Sequence, residues 1–98
     1  MFEWDEAKRQ RNLAKHGIDF ADVLEAFAEP ARVEFADTRC DYGEFRSVLL
    51  VPMRGRLLHI TWTWRGRARR LISALKANAR EQQRYARYRS DDPGGPHR

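Results

Sequence analysis

The spacing of apolar residues changes twice along this chain, and each change marks a change of predicted element. Residues Glu6 to His16 read as a helix: Asp5 suits the N-cap, Lys15 and His16 suit the negative end of the dipole, and Gly17 can turn left-handed beyond the last turn. Its apolar residues are few, so Leu13 and Ala14 are expected to dock it, with Lys8, Arg11 and Lys15 on a solvent-facing row. A second helix is predicted after Asp19, where Phe20, Val23, Leu24 and Phe27 stand at i, i+3, i+4 and i+7 and Pro30 closes the run. Only Gly17 and Ile18 link the two, which predicts a helical hairpin.

After Pro30 the period falls to two. Val33 and Phe35 alternate with Glu34 and Ala36 in a short strand, and the polar stretch from Asp37 to Gly43 reads as a loop. Phe45 to Val51 and Leu57 to Trp64 are longer strands, joined near Pro52 to Arg56 with Gly55 as the turn residue. In the second of these Leu58, Ile60, Trp62 and Trp64 share one face, and Leu57, His59, Thr61 and Thr63 share the other. Gly66 turns the chain into a fourth strand, about Ala68 to Ala74, antiparallel to its neighbour. Lys76 to Tyr88 then returns to a helical pattern. Its inner face offers only Ala79, Ala86, Tyr85 and Tyr88, so it is expected to bury little and to be lightly anchored, with a basic row of Lys76, Arg80, Arg84 and Arg87.

These elements make an α+β domain over residues 1–89, followed by a tail at 90–98 whose composition predicts flexibility. At 98 residues, 42% hydrophobic and 11% aromatic, the chain has material for one small core. One cysteine, Cys40, excludes an internal disulfide, and no Cys or His pair stands at metal-ligand spacing. The charged opening FEWDEAK is unlike a signal peptide and no apolar run has the length of a membrane span, so a soluble cytoplasmic protein is expected. Charge changes the picture most. From Met53 to Arg89 there are eleven Lys and Arg against one acid, Glu81, a balance of +10 in a chain whose total is +5. Such a split points toward a nucleic-acid phosphate backbone, although a solvated Arg-rich helix and strand edge would read the same way.

Several segments together resemble one family. FEWDEAK, then Asn12, KHGIDF from Lys15 to Phe20, GEFR from Gly43 to Arg46, and RLISALKANAREQQRY from Arg70 to Tyr85 are similar in order and spacing to the BrnT toxins, ribonuclease toxins of type II toxin–antitoxin systems. The resemblance covers about residues 2–88. It implies a RelE-like fold with an N-terminal helical hairpin, a four-stranded antiparallel sheet and a C-terminal helix. It also implies metal-independent RNA cleavage without a cofactor, and neutralisation by a BrnA-like ribbon-helix-helix antitoxin, DNA being bound only through the toxin–antitoxin complex. One position departs: family members commonly carry Arg after the ISA tripeptide, where this chain has Leu75. The alternative reading is therefore a binding module for nucleic acid or antitoxin that has lost nuclease activity.

Metal-free RNA cleavage uses the substrate's own 2′-hydroxyl as nucleophile, so the protein must supply a base, an acid and cations for the charge that grows on phosphorus-bound oxygens. Arg46 and Arg70 are the candidate phosphate clamps, since a guanidinium grips two oxygens and keeps its charge. The competing role for each is an exposed strand Arg whose stem covers apolar surface. Lys76 is a candidate third cation or proton donor, and Tyr85 a hydroxyl donor or base-stacking ring, against the plainer roles of surface Lys and packed ring. His59, Arg69, Arg80 and Arg84 are candidate RNA-binding residues, His59 because it lies on the polar face of its strand. Glu81 is expected to bridge neighbouring Arg residues, His16 to serve its helix end, and His97 to lie in the tail. Arg70 and Ser73 have opposite parity, so they share a face only if their strand bulges.

Overall fold

A computed structural model describes residues 1–38 and 43–90. Most of the expected loop from Asp37 to Gly43, including Cys40, and nearly all of the expected tail, including His97, lie outside the described residues. The elements are β1 (Phe2–Trp4), α1 (Glu6–His16), two 3₁₀ turns (Phe20–Asp22 and Leu24–Ala28), β2 (Val33–Ala36), β3 (Ser47–Met53), β4 (Arg56–Arg65), β5 (Ala68–Lys76) and α2 (Ala79–Ser90). The class is α+β as predicted. The sheet, however, has five strands in the order β1-β5-β4-β3-β2, and it is mixed: β1 runs parallel to β5, while the other pairs are antiparallel.

The helix α1 begins and ends as its sequence dictates, with the Asp5 carboxylate accepting from the Lys8 N–H and Gly17 at φ 70° closing the C-terminus. Its docking is not the predicted one. Leu13 is 39% exposed and Ala14 faces solvent; the buried residue is Asn12. The Asn12 carboxamide donates to the carbonyls of Ile18 (2.9 Å) and Ala74 (2.7 Å) and accepts from the Ala74 N–H (3.1 Å). Since β1 pairs with β5 only over Arg69 to Leu71, Asn12 acts as a surrogate strand residue that satisfies the edge of β5 farther along. A two-pronged bond from Arg9 to Asp19, at 2.7 and 2.9 Å, fixes the other side of α1 to the chain that follows.

The predicted second helix is instead two 3₁₀ turns meeting at Val23, so the front of the chain is no helical hairpin. Burial explains the difference. Phe20, Val23 and Ala26 are the fully covered residues, at i, i+3 and i+6, which is the three-residue repeat of a 3₁₀ helix; Leu24 and Phe27 are only partly covered. Together with Ile18 they close over Leu49, Val51, Leu58, Ile60, Trp62, Leu71 and Ala74, the larger core cluster. The opposite face of the sheet carries Val48 and Leu50, which with Ala77, just past the end of β5, pack against Phe35, Leu57 and Tyr85 beneath α2. Both faces of β3 and β4 are thus covered, which is why Val48 to Val51 read as an unbroken apolar run.

Two boundaries in the second half shift. β3 starts at Ser47, so Phe45 and Arg46 precede it, and Lys76 ends β5 instead of opening the last helix. Helix α2 starts where Asn78 and Glu81 form a reciprocal capping box: the Glu81 N–H donates to Asn78 Oδ1 (2.8 Å) and the Asn78 N–H to Glu81 Oε1 (2.9 Å). As expected, α2 buries no residue completely. In β5, Ser73 stands opposite Thr61 but Leu71 opposite Trp62, leaving Ile72 between them as a bulge. That is the condition under which Arg70, opposite Thr63, shares a face with Ser73.

Candidate nucleic-acid interface

The face of the sheet turned toward α2 carries a polar row along β4: His59, Thr61 and Thr63, all buried, opposite Leu75, Ser73 and Arg70 of β5. Alternation on a strand places these three on one side, about 7 Å apart from each to the next. At one end, the His59 ring is nearly covered, with Nε2 3.4 Å from Glu81 Oε2. Glu81 therefore caps α2 with one oxygen and holds it to β4 with the other, and it bridges no Arg among the contacts described. Beside this pair, Phe35, Asp37, Thr38 and Arg84 line a small cleft. The Arg84 guanidinium lies 3.7 Å from the centre of the Phe35 ring, and Tyr88 stacks on the same ring at 5.9 Å and 4° between planes.

At the other end stand the two candidate clamps. The Thr63 hydroxyl donates to the carbonyl of Phe45, which carries Arg46 alongside Thr63, and Arg70 faces Thr63 across the next strand pair. Arg46 and Arg70 thus flank one position of β4 from either side, two strand spacings or roughly 10 Å apart. Each has a carboxylate. Arg46 Nε is 3.1 Å from Glu44, and Arg70 Nη1 is 2.6 Å from Glu3, its register partner on β1. The Glu3 pairing depends on a strand that only the tertiary fold brings near, whereas Glu44 stands two residues before Arg46 in the GEFR segment.

The remaining candidates scatter. Lys76 is exposed and stands opposite Leu58, on the core side of the sheet, away from the polar row. Tyr85 packs its ring into the smaller core cluster and donates its hydroxyl to the Ala31 carbonyl at 2.7 Å, so its packed role is the one the structure has. Arg80 is exposed on α2. Arg69 turns to the core side as well, its guanidinium carbon 5.2 to 6.0 Å from the ring centres of Phe2, Phe27, Trp62 and Trp64. Its charge is held among aromatic faces, and its Nε is buried with no hydrogen-bond partner.

The order of elements and the basic hairpin are accompanied by a decisive comparison: the family model for the ribonuclease toxin BrnT of type II toxin–antitoxin systems matches residues 4–81. The chain belongs to the BrnT family. No curated protein sequence matches it. For a BrnT-family chain, the departure at Leu75 has a definite place: the residue stands directly opposite His59 in the polar row. Leu75, where the resemblance led to an expectation of Arg, thus lies on the same face as Arg70 and Ser73. Among the described residues no three metal-ligating side chains converge, and no helix is long and apolar enough to cross a membrane.

Proposed function

We propose that this BrnT-family toxin is a metal-independent endoribonuclease that cleaves mRNA in the cytoplasm and is neutralised by a BrnA-like, DNA-binding ribbon-helix-helix antitoxin. The observation that supports the reading is that Arg46 and Arg70 flank Thr63 from either side, at the end of a polar strand face. Two guanidiniums in that relation suit a phosphodiester, one to orient it and the other to offset the charge of the five-coordinate phosphorus. Glu44 and Glu3 hold the two side chains in place before substrate arrives, and an incoming phosphate competes with those carboxylates.

The lightly anchored α2 suits neutralisation, because a partner that completes its contacts stabilises the complex over the free toxin. Expression without antitoxin is expected to arrest growth, and Arg46→Ala or Arg70→Ala to relieve the arrest. Unchanged toxicity in both variants would refute the assignment of these residues.

A second reading is favoured by one observation. Leu75 places an apolar side chain opposite His59 where a cation commonly stands, consistent with a module that binds RNA or antitoxin without cutting. Purified protein that cleaves RNA in the presence of a chelator at sub-stoichiometric amounts decides for the nuclease; salt-dependent binding with no cleavage decides for the module.

A further inference from the structure

We infer that the Gly66 turn end of the β4–β5 hairpin is a nucleobase-stacking site for single-stranded RNA, with the Trp64 indole as its platform and Phe45 as a second ring. This deepens the ribonuclease reading and rests on it. Trp64 is 49% exposed and Phe45 58% exposed. They lie at the same end of the sheet, since Thr63, next to Trp64 in the chain, bonds to the Phe45 carbonyl.

Large rings left in water at a strand end are held there by specific contacts. The Trp64 ring meets Trp62 edge-on, with centres 5.1 Å apart, and the Arg69 guanidinium at 5.2 Å. Trp62 is itself fixed, its indole N–H donating to Glu34 at 3.0 Å. The backbone adds stiffness: Arg65 pairs with Ala68 across a two-residue turn whose first residue, Gly66, has φ 61°. Trp64 is thereby oriented without being covered.

The charge around these rings names the ligand. Arg46, Arg65, Arg67 and Arg70 gather at this end against Glu3 and Glu44, while Arg69 is packed among the rings themselves. Glu44 is shared between Arg46 at 3.1 Å and Arg65 at 4.0 Å, Glu3 serves Arg70, and Arg67 has no ion-pair partner among the described residues. An acidic peptide would use the cations but has no need of an open aromatic plane. Unpaired nucleotides use both, the base on the ring and the phosphate on the guanidinium. The candidate clamp Arg70 is on the same hairpin but on the other face of the sheet from Trp64, so a strand stacked on Trp64 reaches the Arg46–Thr63–Arg70 site only by passing round the Gly66 turn.

The test uses a fluorescein-labelled, 2′-O-methylated oligoribonucleotide, which cannot be cleaved through its 2′-oxygens, and the same oligomer with abasic positions. Fluorescence anisotropy at fixed salt measures binding of the whole chain. Wild-type protein is expected to prefer the base-bearing oligomer, and Trp64→Ala to weaken that complex about five- to a hundredfold while leaving abasic binding unchanged. Trp64→Phe, which keeps a ring, should retain most of the preference, and Arg67→Ala should weaken both oligomers alike. Melting curves show whether each variant is folded. The inference is overturned if wild type does not distinguish the two oligomers, or if Trp64→Ala binds both as wild type does. It is equally overturned if Trp64→Ala and Trp64→Phe lose antitoxin binding alone, for the surface would then belong to the protein partner. Cleavage of unmodified RNA, measured in parallel, reports on the ribonuclease reading separately, so that reading survives failure of the stacking site.

Discussion

Replacing Asn12 by Ala removes three hydrogen bonds at once and leaves the peptide groups they served with nothing in place of the carboxamide. The bonds join α1 to Ile18 and to both polar groups of Ala74, inside a site where Asn12 is only 8% exposed. A net hydrogen bond contributes about 1 kcal/mol, and a covered peptide group left unpaired costs about 1 to 3 kcal/mol where water cannot reach it. Water can partly replace the side chain once its volume is vacated, so a total loss of about 2 to 4 kcal/mol is expected. Against a domain stability on the order of 5 to 10 kcal/mol, that is a large fraction. At roughly 4 to 8 °C per kcal/mol for a domain of this size, the melting temperature should fall by about 10 to 25 °C. Urea denaturation followed by far-ultraviolet circular dichroism measures the loss, with Leu13→Ala on the exposed side of α1 as the comparison. A cost below about 0.5 kcal/mol for Asn12→Ala would refute the idea that its carboxamide completes the edge of β5. Asn12→Asp separates the two functions of the side chain: it keeps an acceptor for the Ala74 N–H but turns a carboxylate toward two carbonyl oxygens, and should destabilise more at pH 7 than at pH 4.

Two further outcomes follow from the same contacts. The Arg9 guanidinium holds the Asp19 carboxyl down to about 2, below its ordinary 3.8, so the stabilisation is fully present above pH 4 and is lost as pH falls toward 2; urea midpoints for wild type should drop across that window and those for Asp19→Asn should drop less. Tyr85→Phe removes the bond to the Ala31 carbonyl while keeping the ring, costing about 1 kcal/mol and speeding amide exchange in α2 relative to β4; equal exchange in both proteins would show that the bond does not anchor the helix.

Elements set by local period were legible in the sequence. The caps of α1, the alternation of β4 and the turn at Gly66 each depend on residues within a few positions of one another, and each appears in the structure. Elements set by a distant partner were not. Three residues, Phe2 to Trp4, become a strand only because β5 offers them an edge, and nothing in a charged opening segment announces that edge. Phe20, Val23, Leu24 and Phe27 fit a repeat of 3.6 as well as one of 3.0, and burial of Ala26 resolves the choice. The start of α2 was readable in principle, since Asn78-x-x-Glu81 is a capping-box pattern that outranks the basic row which drew Lys76 into the helix. Among the candidate site residues, Arg69 could be separated from Arg70 only by knowing which side of the sheet each faced. Glu3 has no local signature because its partner Arg70 is 67 residues away, whereas Glu44 could have been paired with Arg46 from the GEFR segment alone.

The bulge at Ile72 is a phase shifter for a tandem of identical residues. Were β5 regular from Lys76 back to Ala68, every residue before Ile72 would slip by one and its side would reverse: Arg69 would face the polar row and Arg70 would enter the aromatic cluster. One surplus residue therefore decides which arginine stays available to a phosphate and which becomes a packing element. A relative lacking that residue would keep each pairing on both sides of the gap, with a regular strand in place of a bulged one. Correspondence of arginines between such chains follows strand register, and counting residues back from the ISA segment would assign the wrong one.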